Sequence, residues 1–386
     1  MNRLLVYIEE AVRIIQMYRG EVPFTLYLKQ YLARDRRKGS RDRKLISELC
    51  YNYFRIGHLL SDKPIEEKLR SALFLTQQEK SLLTSLLSPE LEARLLLNIE
   101  EKLDFLNIEL SIPSLFPFSD LLSQGIEISS FQKSFFKQPF VFIRIRPGYR
   151  SIVAKKLQQS GFSYEFINDT CVSLASGSKL ESMFEINKEI IVQDASSQQI
   201  IPFLSGVFPE NKSISVWDCC AASGGKSIHL HDLFLQSNLT VSDIRASILK
   251  NLEYRFKEAG IRDYTSTVID LSQPLQPVKE YDLIVADVPC SGSGTWRRTP
   301  EQLQFFKEYD LHGYVSLQRK VVTNLLPALK TGGYLLYSTC SAFAAENEGQ
   351  RIWMEQTCNL HCLKSQLLDN TAIGADTMYV SLLQKK

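Results

Sequence analysis

From about residue 193 onward, short apolar runs alternate with helical stretches. This alternation constrains the fold of the 386-residue chain more than any other feature. The runs at 213–217, 239–242, 266–269, 281–286 and 333–338 read as strands, with a last one at 378–383. Helical stretches separate them: one through residue 234, then 246–259, 314–329 and 344–356. Near-continuous apolar strands divided by helices predict a mainly parallel α/β sheet covered on both faces. In such sheets ligands sit beyond the carboxyl ends of the strands, so the chemistry is sought there.

The sequence ahead of this region is of two kinds. Residues 1–110 read as helices, because Leu4, Leu5, Ile8, Val12 and Ile15 recur at helical spacing, as do Leu45, Ile46, Leu49 and Tyr53. Within them, Arg34 to Lys44 packs seven cations and two carboxylates into eleven residues. That run reads either as a contact for a phosphate backbone or as a solvated turn with a helix N-cap at Ser40. Residues 111–137, with Pro113, Pro117 and several serines, read as a linker. Residues 138–192 form a small α/β module: strands at 140–146, 164–167, 171–174 and 190–192, with a helix through Leu157. Arg144, Arg146, Arg150, Lys155 and Lys156 give it a basic character. The sheet region then runs from 193 to 386.

Net charge is only +2, so nucleic-acid binding has to come from local clusters. No apolar run approaches the roughly 20 residues that span a bilayer, and the N-terminus has no uninterrupted signal-peptide core. A cytoplasmic protein with no membrane partner is expected. Eight cysteines lie without a framework spacing and the five histidines without ligand spacing, so neither disulfides nor a metal site is expected.

Asp218-Cys219-Cys220-Ala221-Ala222-Ser223-Gly224-Gly225-Lys226 follows the first strand of the sheet. Gly224 and Gly225 remove side chains where a backbone must turn and approach a ligand. The helix beginning there offers free N–H groups to an anion, and Lys226 adds a cation. Asp243 ends the next strand, where a carboxylate accepts the hydroxyls of a ribose. Asp270 ends the third strand, either to hold an adenine or amino group or to cap a helix. Taken together these residues favour S-adenosylmethionine as the cofactor.

Two thiols follow at strand ends. Cys290 lies in Asp287-Val288-Pro289-Cys290-Ser291-Gly292, and Cys340 in Ser338-Thr339-Cys340-Ser341. A thiol that adds to carbon 6 of a pyrimidine makes carbon 5 nucleophilic, and a second polar group helps break the adduct. With Asp287 nearby, the two thiols supply the parts for methylation of a pyrimidine carbon. The remaining cysteines Cys50, Cys171, Cys358, Cys362 and Cys219 read as small buried hydrophobes. Arg297 and Arg298, after Trp296, are candidates to hold phosphates near the site.

The C-terminal half resembles the Sun (RsmB-like) family of RNA cytosine-carbon-5 methyltransferases. The resemblance is carried by Val192 to Gln198, the glycine loop, Asp243, Asp287 to Gly292, and Ser338 to Ser341 followed by Glu346-Asn347. It implies a Rossmann-like S-adenosylmethionine methyltransferase sheet, an N-terminal helical domain of NusB-like type and a small RNA-binding module between them. It implies that Cys220, Ala221, Ala222, Ser223, Gly224, Gly225 and Lys226 contact the cofactor, with Asp243, Asp270 and Asp287. It further implies that Cys340 is the nucleophile and Cys290 the thiol that assists release. The loop of that family usually carries proline where this chain has Ser223, and its Arg-x-Asn reads Arg144-Ile145-Arg146 here. The expected partner is RNA, with small-subunit ribosomal RNA ahead of transfer RNA, and the expected state a monomer. The rival reading is a non-catalytic RNA-binding assembly factor.

Overall fold

Strand β5 (Ser215–Asp218) alternates its side chains between two apolar layers, and the neighbouring strand Tyr281–Asp287 does the same. Val216 faces one layer with Leu283 and Val285; Trp217 faces the other with Ile284 and Ala286. The computed structural model describes residues 3–35, 37–109, 115–209, 212–275 and 279–386. Arg36 of the basic run and Pro113 of the expected linker lie outside the described residues.

The main sheet has seven strands in the order β10-β11-β9-β8-β5-β6-β7. Beside β5 these are β6 (Asn238–Asp243), β7 (Tyr264–Val268), β8 (Tyr281–Asp287), β9 (Leu329–Thr339), β10 (Leu360–Asp369) and β11 (Thr377–Lys385). β5 to β9 are mutually parallel, and β11 and β10 add antiparallel at one edge. The carboxyl ends of the five parallel strands therefore lie along one side. β5 sits between β6 and β8, so the crevice where strand order reverses opens beside it. Sequence reading had no counterpart for β10, a strand whose residues are largely exposed.

The chain divides into two units. One consists of Met1–Asp120, Glu127–Gln138 and Thr295–Glu308. Its helices α1 (Arg3–Met17), α2 (Phe24–Ala33), α3 (Ser40–Arg55) and α4 (Ile65–Thr76) bury Ile8, Ile14, Phe24, Ile46, Leu49, Phe54 and Leu73 in one core. The last of its three segments is an insert from the sheet region. Phe305 stacks edge-on against Tyr18 with ring centres 4.9 Å apart, and Trp296 lies among Phe116, Phe118 and Phe306. Gln304 donates to the Gly57 carbonyl at 2.6 Å.

This insert corrects one expectation. Arg297 is buried within the helical unit, beside Arg55, and is not placed to hold a phosphate. Arg298 belongs to the same unit. The expected linker is corrected too. Residues Ile128–Ser134 form a helix, and Phe131, Phe135 and Phe136 are buried, because their aromatic partners Phe116 and each other supply a core. In the basic run, α3 begins at Ser40 with Gly39 as its cap, and Asp42 turns back to accept the Gly39 N–H at 3.1 Å. Lys38 bridges Glu10 and Asp35 at 3.0 and 2.9 Å, so part of that run's charge is spent internally.

The second unit comprises Leu121–Ile126, Pro139–Gly294 and Tyr309–Lys386. It holds the main sheet and a small antiparallel sheet in the order β2-β3-β1-β4, made of β1 (Val141–Ile145), β2 (Tyr164–Phe166), β3 (Cys171–Leu174) and β4 (Ile190–Val192). The basic character of this module is largely internal. Arg144 and Arg146 both grip Asp232, at 2.8 and 2.7 Å, and all three side chains are buried or nearly so. Lys156 pairs with Glu189 at 2.7 Å, and Arg150 lies 3.8 Å over the Phe166 ring. Among the described residues no helix is long and apolar enough to cross a membrane.

Candidate active site

The parallel strands end in the residues the sequence singled out. Asp218 closes β5, Asp243 closes β6, Asp287 closes β8, and Cys340 follows the last residue of β9. The glycine loop between β5 and the helix Gly225–Leu233 takes two left-handed steps, at Ala222 (φ +46°) and Gly224 (φ +83°). A Cβ on Gly224 would lie 2.9 Å from Leu252 and 3.0 Å from Phe256, so position 224 admits only glycine both for its φ and for its neighbours.

Two cavities flank this loop. The larger, about 510 Å³, is lined by Cys220, Ala222, Asp243, Asp270, Asp287, Cys290 and Cys340, with Ile269, Leu271, Leu317 and Val321 as its apolar wall. The smaller, about 170 Å³, is lined by Ala221, Ser223, Gly225, Lys226, Asp218, Gln193 and Ser197, and shares Cys220, Ala222 and Asp287 with the first. The structure thus gathers the candidate cofactor-binding and catalytic residues around one loop; among them Gly224 turns away, toward Leu252 and Phe256.

The carboxylates are in different states. Asp243 is buried and accepts four hydrogen bonds: from the Ala222 N–H at 3.1 Å, and from the backbone N–H, Nε and Nη2 of Arg245 at 2.9, 2.9 and 3.1 Å. Burial opposes its charge, but these donors hold its carboxyl below the ordinary value. Asp287 accepts from Lys226 Nζ at 2.7 Å and from Ser338 Oγ at 2.8 Å. Burial likewise works against the Lys226 cation, and Asp287, with Cys340 and Asp218 farther off, keeps its pKa above the ordinary value. Asp270 is exposed and accepts from the backbone and hydroxyl of Ser272, which holds its carboxyl low and makes it the cap of a turn as well as a cavity residue.

Asp218 is the outlier. It is 1% exposed, accepts from Ser227 Oγ at 2.6 Å, and has its other oxygen without a hydrogen-bond partner. Burial pushes its carboxyl up to about 7, with the Asp287 charge adding to the rise. A carboxyl raised in the folded state keeps its proton there at a pH where the unfolded chain has lost it. Its stabilising contribution is therefore present at low pH and lost as pH rises from about 4 to about 7. Asp218→Asn is expected to raise the melting temperature at pH 8, by at most the equivalent of about 4 kcal/mol, and to leave it unchanged at pH 4. Thermal denaturation across that range checks this; a uniform shift at both pH values would contradict it.

The two thiols meet. Cys290 Sγ and Cys340 Sγ are 3.4 Å apart, both half-buried. The Cys340 sulfur, burial and the Glu346 carboxylate all push the Cys290 thiol well above its ordinary value, so Cys290 keeps its proton and can donate it to its neighbour. The juxtaposition is built by a buried polar network. Glu346, 0% exposed, accepts from Ser291 N at 2.9 Å, from the hydroxyls of Ser291 and Ser341, and from Gln318 Nε2 at 2.9 Å. Gln318 also donates to the Pro289 carbonyl at 3.0 Å. Asn347 donates to the Ser341 carbonyl at 2.9 Å and to Ser123 Oγ at 2.8 Å. Gly294 N donates to the Cys340 carbonyl, and a Cβ on Gly294 would fall 1.9 Å from the Thr377 carbonyl oxygen. Sequence reading had named Glu346 and Asn347 only as parts of a motif, and had missed Gln318 and Gly294. Asp194, in the motif from Val192 to Gln198, caps the helix Ala195–Ile200 and accepts from the Asp376 N–H, a structural role.

Residues 207–379, a little under half of the chain, match the family model described as 16S rRNA methyltransferase RsmB/F. Ribosomal RNA small subunit methyltransferase B of Salmonella arizonae is 32% identical over 163 residues, covering 42% of this chain and 37% of that protein. The protein of the same description from Escherichia coli (strain K12) is 29% identical over 207 residues, covering 51% of this chain and 47% of that protein. The chain thus spans less than half the length of these curated relatives in each match. Among solved structures, PH0851 superposes with a TM-score of 0.70 at 18% identity, over 99% of this chain and 98% of that one. NSun6 from Pyrococcus horikoshii with SFG superposes with a TM-score of 0.59 at 15% identity, over 69% of this chain and 96% of that one. At such identities the likeness is one of fold.

Proposed function

We propose that this chain, whose residues 207–379 match the RsmB/F methyltransferase model, is a member of that family and transfers a methyl group from S-adenosylmethionine to carbon 5 of a cytosine in RNA, with small-subunit ribosomal RNA as the favoured substrate. The observation that carries the reading is the pair of sulfurs 3.4 Å apart on the wall of a cavity that also contains Asp243 and Asp270.

The cavity fits a nucleoside-type cofactor on three counts. Its wall of Ile269, Leu271, Leu317 and Val321 suits an aromatic base. Asp243 presents two carboxylate oxygens, each with one acceptor position filled by an Arg245 side-chain nitrogen that a ribose diol can replace. Buried Asp218, one of whose oxygens has no hydrogen-bond partner, lines the smaller cavity, where a cationic group is the natural complement. Asp243 then holds the ribose, Asp270 the adenine edge, and the segment from Cys220 to Lys226 with Asp287 the amino-acid end. When bound, S-adenosylmethionine supplies an electrophilic methyl on a sulfonium.

The chain's own residues do the rest. The Cys340 thiolate adds to carbon 6 of the cytosine, which makes carbon 5 nucleophilic. Asp287, held by Lys226 and Ser338, hydrogen-bonds the base edge and favours the adduct. After carbon 5 is substituted, its proton passes to solvent water, the electron pair of that C–H bond re-forms the C5–C6 double bond, and the C6–S bond breaks with its pair on the Cys340 sulfur. Cys290, whose thiol retains its proton, protonates the departing Cys340 sulfur. The target base has to leave its stack, at a cost of a few kcal/mol, which favours loops and unfolded precursor RNA. The helical unit is assigned to RNA contact through the basic run Arg34 to Lys44, in the manner of a NusB-like domain.

The test is incubation of the purified chain with S-adenosylmethionine and either deproteinised 16S-type RNA or transfer RNA, followed by bisulfite mapping. A new 5-methylcytosine in the ribosomal RNA is expected. A product in transfer RNA alone moves the substrate class. Calorimetric absence of S-adenosylmethionine binding overturns the enzymatic reading in favour of a non-catalytic RNA-binding factor.

A further inference from the structure

The glycine loop is clamped from outside the cavity by a side chain that no part of the mechanism uses. Arg255, on the helix Ala246–Ala259, donates through Nη1 to both the carbonyl and the hydroxyl of Ser223, at 2.8 and 2.7 Å. Its Nε donates to Asn187 Oδ1 at 2.8 Å, and Asn187 Nδ2 donates to Glu258 on the same helix at 2.7 Å. Asn187 is itself buried in the turn that leads into β4 of the small sheet, at φ +69°. Its carbonyl accepts from Arg146 Nη1 at 3.1 Å. The helix that carries Arg255 also closes the back of the loop, because Leu252 and Phe256 are the atoms nearest to the missing side chain of Gly224.

Ser223 stands between Ala222 and Gly224, both at positive φ. A loop of that shape directs its N–H groups inward but is costly for a flexible chain to hold. Proline at the intervening position would restrict the backbone covalently, and the resembling family usually carries proline there; this chain has serine. We propose that Arg255, seated by Asn187, is a positioning residue that holds the cofactor loop in its binding shape, doing by hydrogen bonds what a proline ring does by its fixed φ. The pair also couples the small sheet to the loop, since this guanidinium joins the Asn187 turn to Ser223. The cofactor arm of this proposal rests on the reading of the loop as the S-adenosylmethionine site.

Two measurements test it on the full chain: the affinity for S-adenosylmethionine by calorimetry, and amide hydrogen exchange at 222–226. Arg255→Ala is expected to weaken binding about tenfold, to speed loop exchange, and to leave kcat at saturating cofactor unchanged. Arg255→Lys is expected to behave alike, because one ammonium cannot serve Ser223 and Asn187 in the fork geometry of a guanidinium. Asn187→Gly keeps the positive φ and removes only the side chain, so it tests the seat of Arg255 even where Arg255→Ala fails to fold; about threefold weaker binding is expected. Adding Ser223→Pro to Arg255→Ala is expected to restore both affinity and slow exchange, which a merely structural loss would not do. Wild-type affinity and exchange in the folded single variants overturn the proposal, as does a double variant no better than Arg255→Ala. Were the wild-type chain not to bind S-adenosylmethionine, the exchange arm alone would still decide it.

Discussion

Cys340→Ala is expected to abolish RNA methylation, by at least about a thousandfold, because in the proposed reaction Cys340 is the group that bonds carbon 6. Binding of S-adenosylmethionine is expected to stay within about twofold of wild type, since Cys340 lines the cavity but is not among the residues assigned to hold the cofactor. Cys290→Ala is expected to fail differently. With the proton donor 3.4 Å from Cys340 removed, the nucleophile adds but leaves slowly. RNA and protein then migrate together on a denaturing gel, as a slow band that protease removes. The distinction is sharp because both cysteines sit equally deep and touch one another, so a loss of folding would affect them alike. A Cys290→Ala enzyme that turns over freely with no retained adduct, or a Cys340→Ala enzyme that still forms one, reverses or removes the assigned roles.

The second large effect is expected at Glu346, which no step of the chemistry touches. Its carboxylate accepts from Ser291 on the loop of Cys290 and from Ser341 on the loop of Cys340, and from Gln318 between them. Glu346→Ala removes the one acceptor these donors share, at a cost of about 3–5 kcal/mol. For a unit of this size that corresponds to a fall in melting temperature of roughly 10 °C. Activity is expected to fall further than stability, because the two sulfurs lose their common tether. Glu346→Gln retains the shape but turns an NH₂ group toward one of the donors, so it should recover part of the stability and little of the activity. Calorimetric melting and the methylation assay read the two effects separately. A Glu346→Ala chain with unchanged melting temperature and rate would show that the loops are set by their backbones alone.

What the sequence disclosed was local. A strand, a left-handed turn and a helix N-terminus are written in Asp218 to Lys226 within nine residues, and Asp243, Asp287 and Cys340 each announce themselves by following an apolar run. The helix Ala246–Ala259 was legible to its end residues because its apolar period and the glycine after it agree. What stayed hidden depends on distant partners. Trp296 and Phe305 read as part of the sheet region because nothing adjacent says that their contacts are Phe116 and Tyr18. Phe131 and Phe135 sit in a serine-rich stretch whose helix is buried against another aromatic, Phe116, distant in sequence. Arg144 and Arg146 read as the basic character of the small module, and their partner Asp232 lies 86 to 88 positions later. β10 lacks apolar alternation because an edge strand exposes most of its side chains. Gln318 is an ordinary glutamine on a long helix until the Pro289 carbonyl and Glu346 arrive beside it.

The three separate segments of the helical unit have a consequence for biogenesis. Thr295–Glu308 supplies Trp296, Phe305 and Phe306 to a core whose other members were synthesised long before. During translation the early helices can form and associate, but their aromatic cluster stays open until most of the chain has left the ribosome. The two units therefore cannot mature one after the other like beads on a string. Their last steps of consolidation coincide, and a nascent chain halted before residue 295 presents an unfinished apolar surface for chaperones to cover.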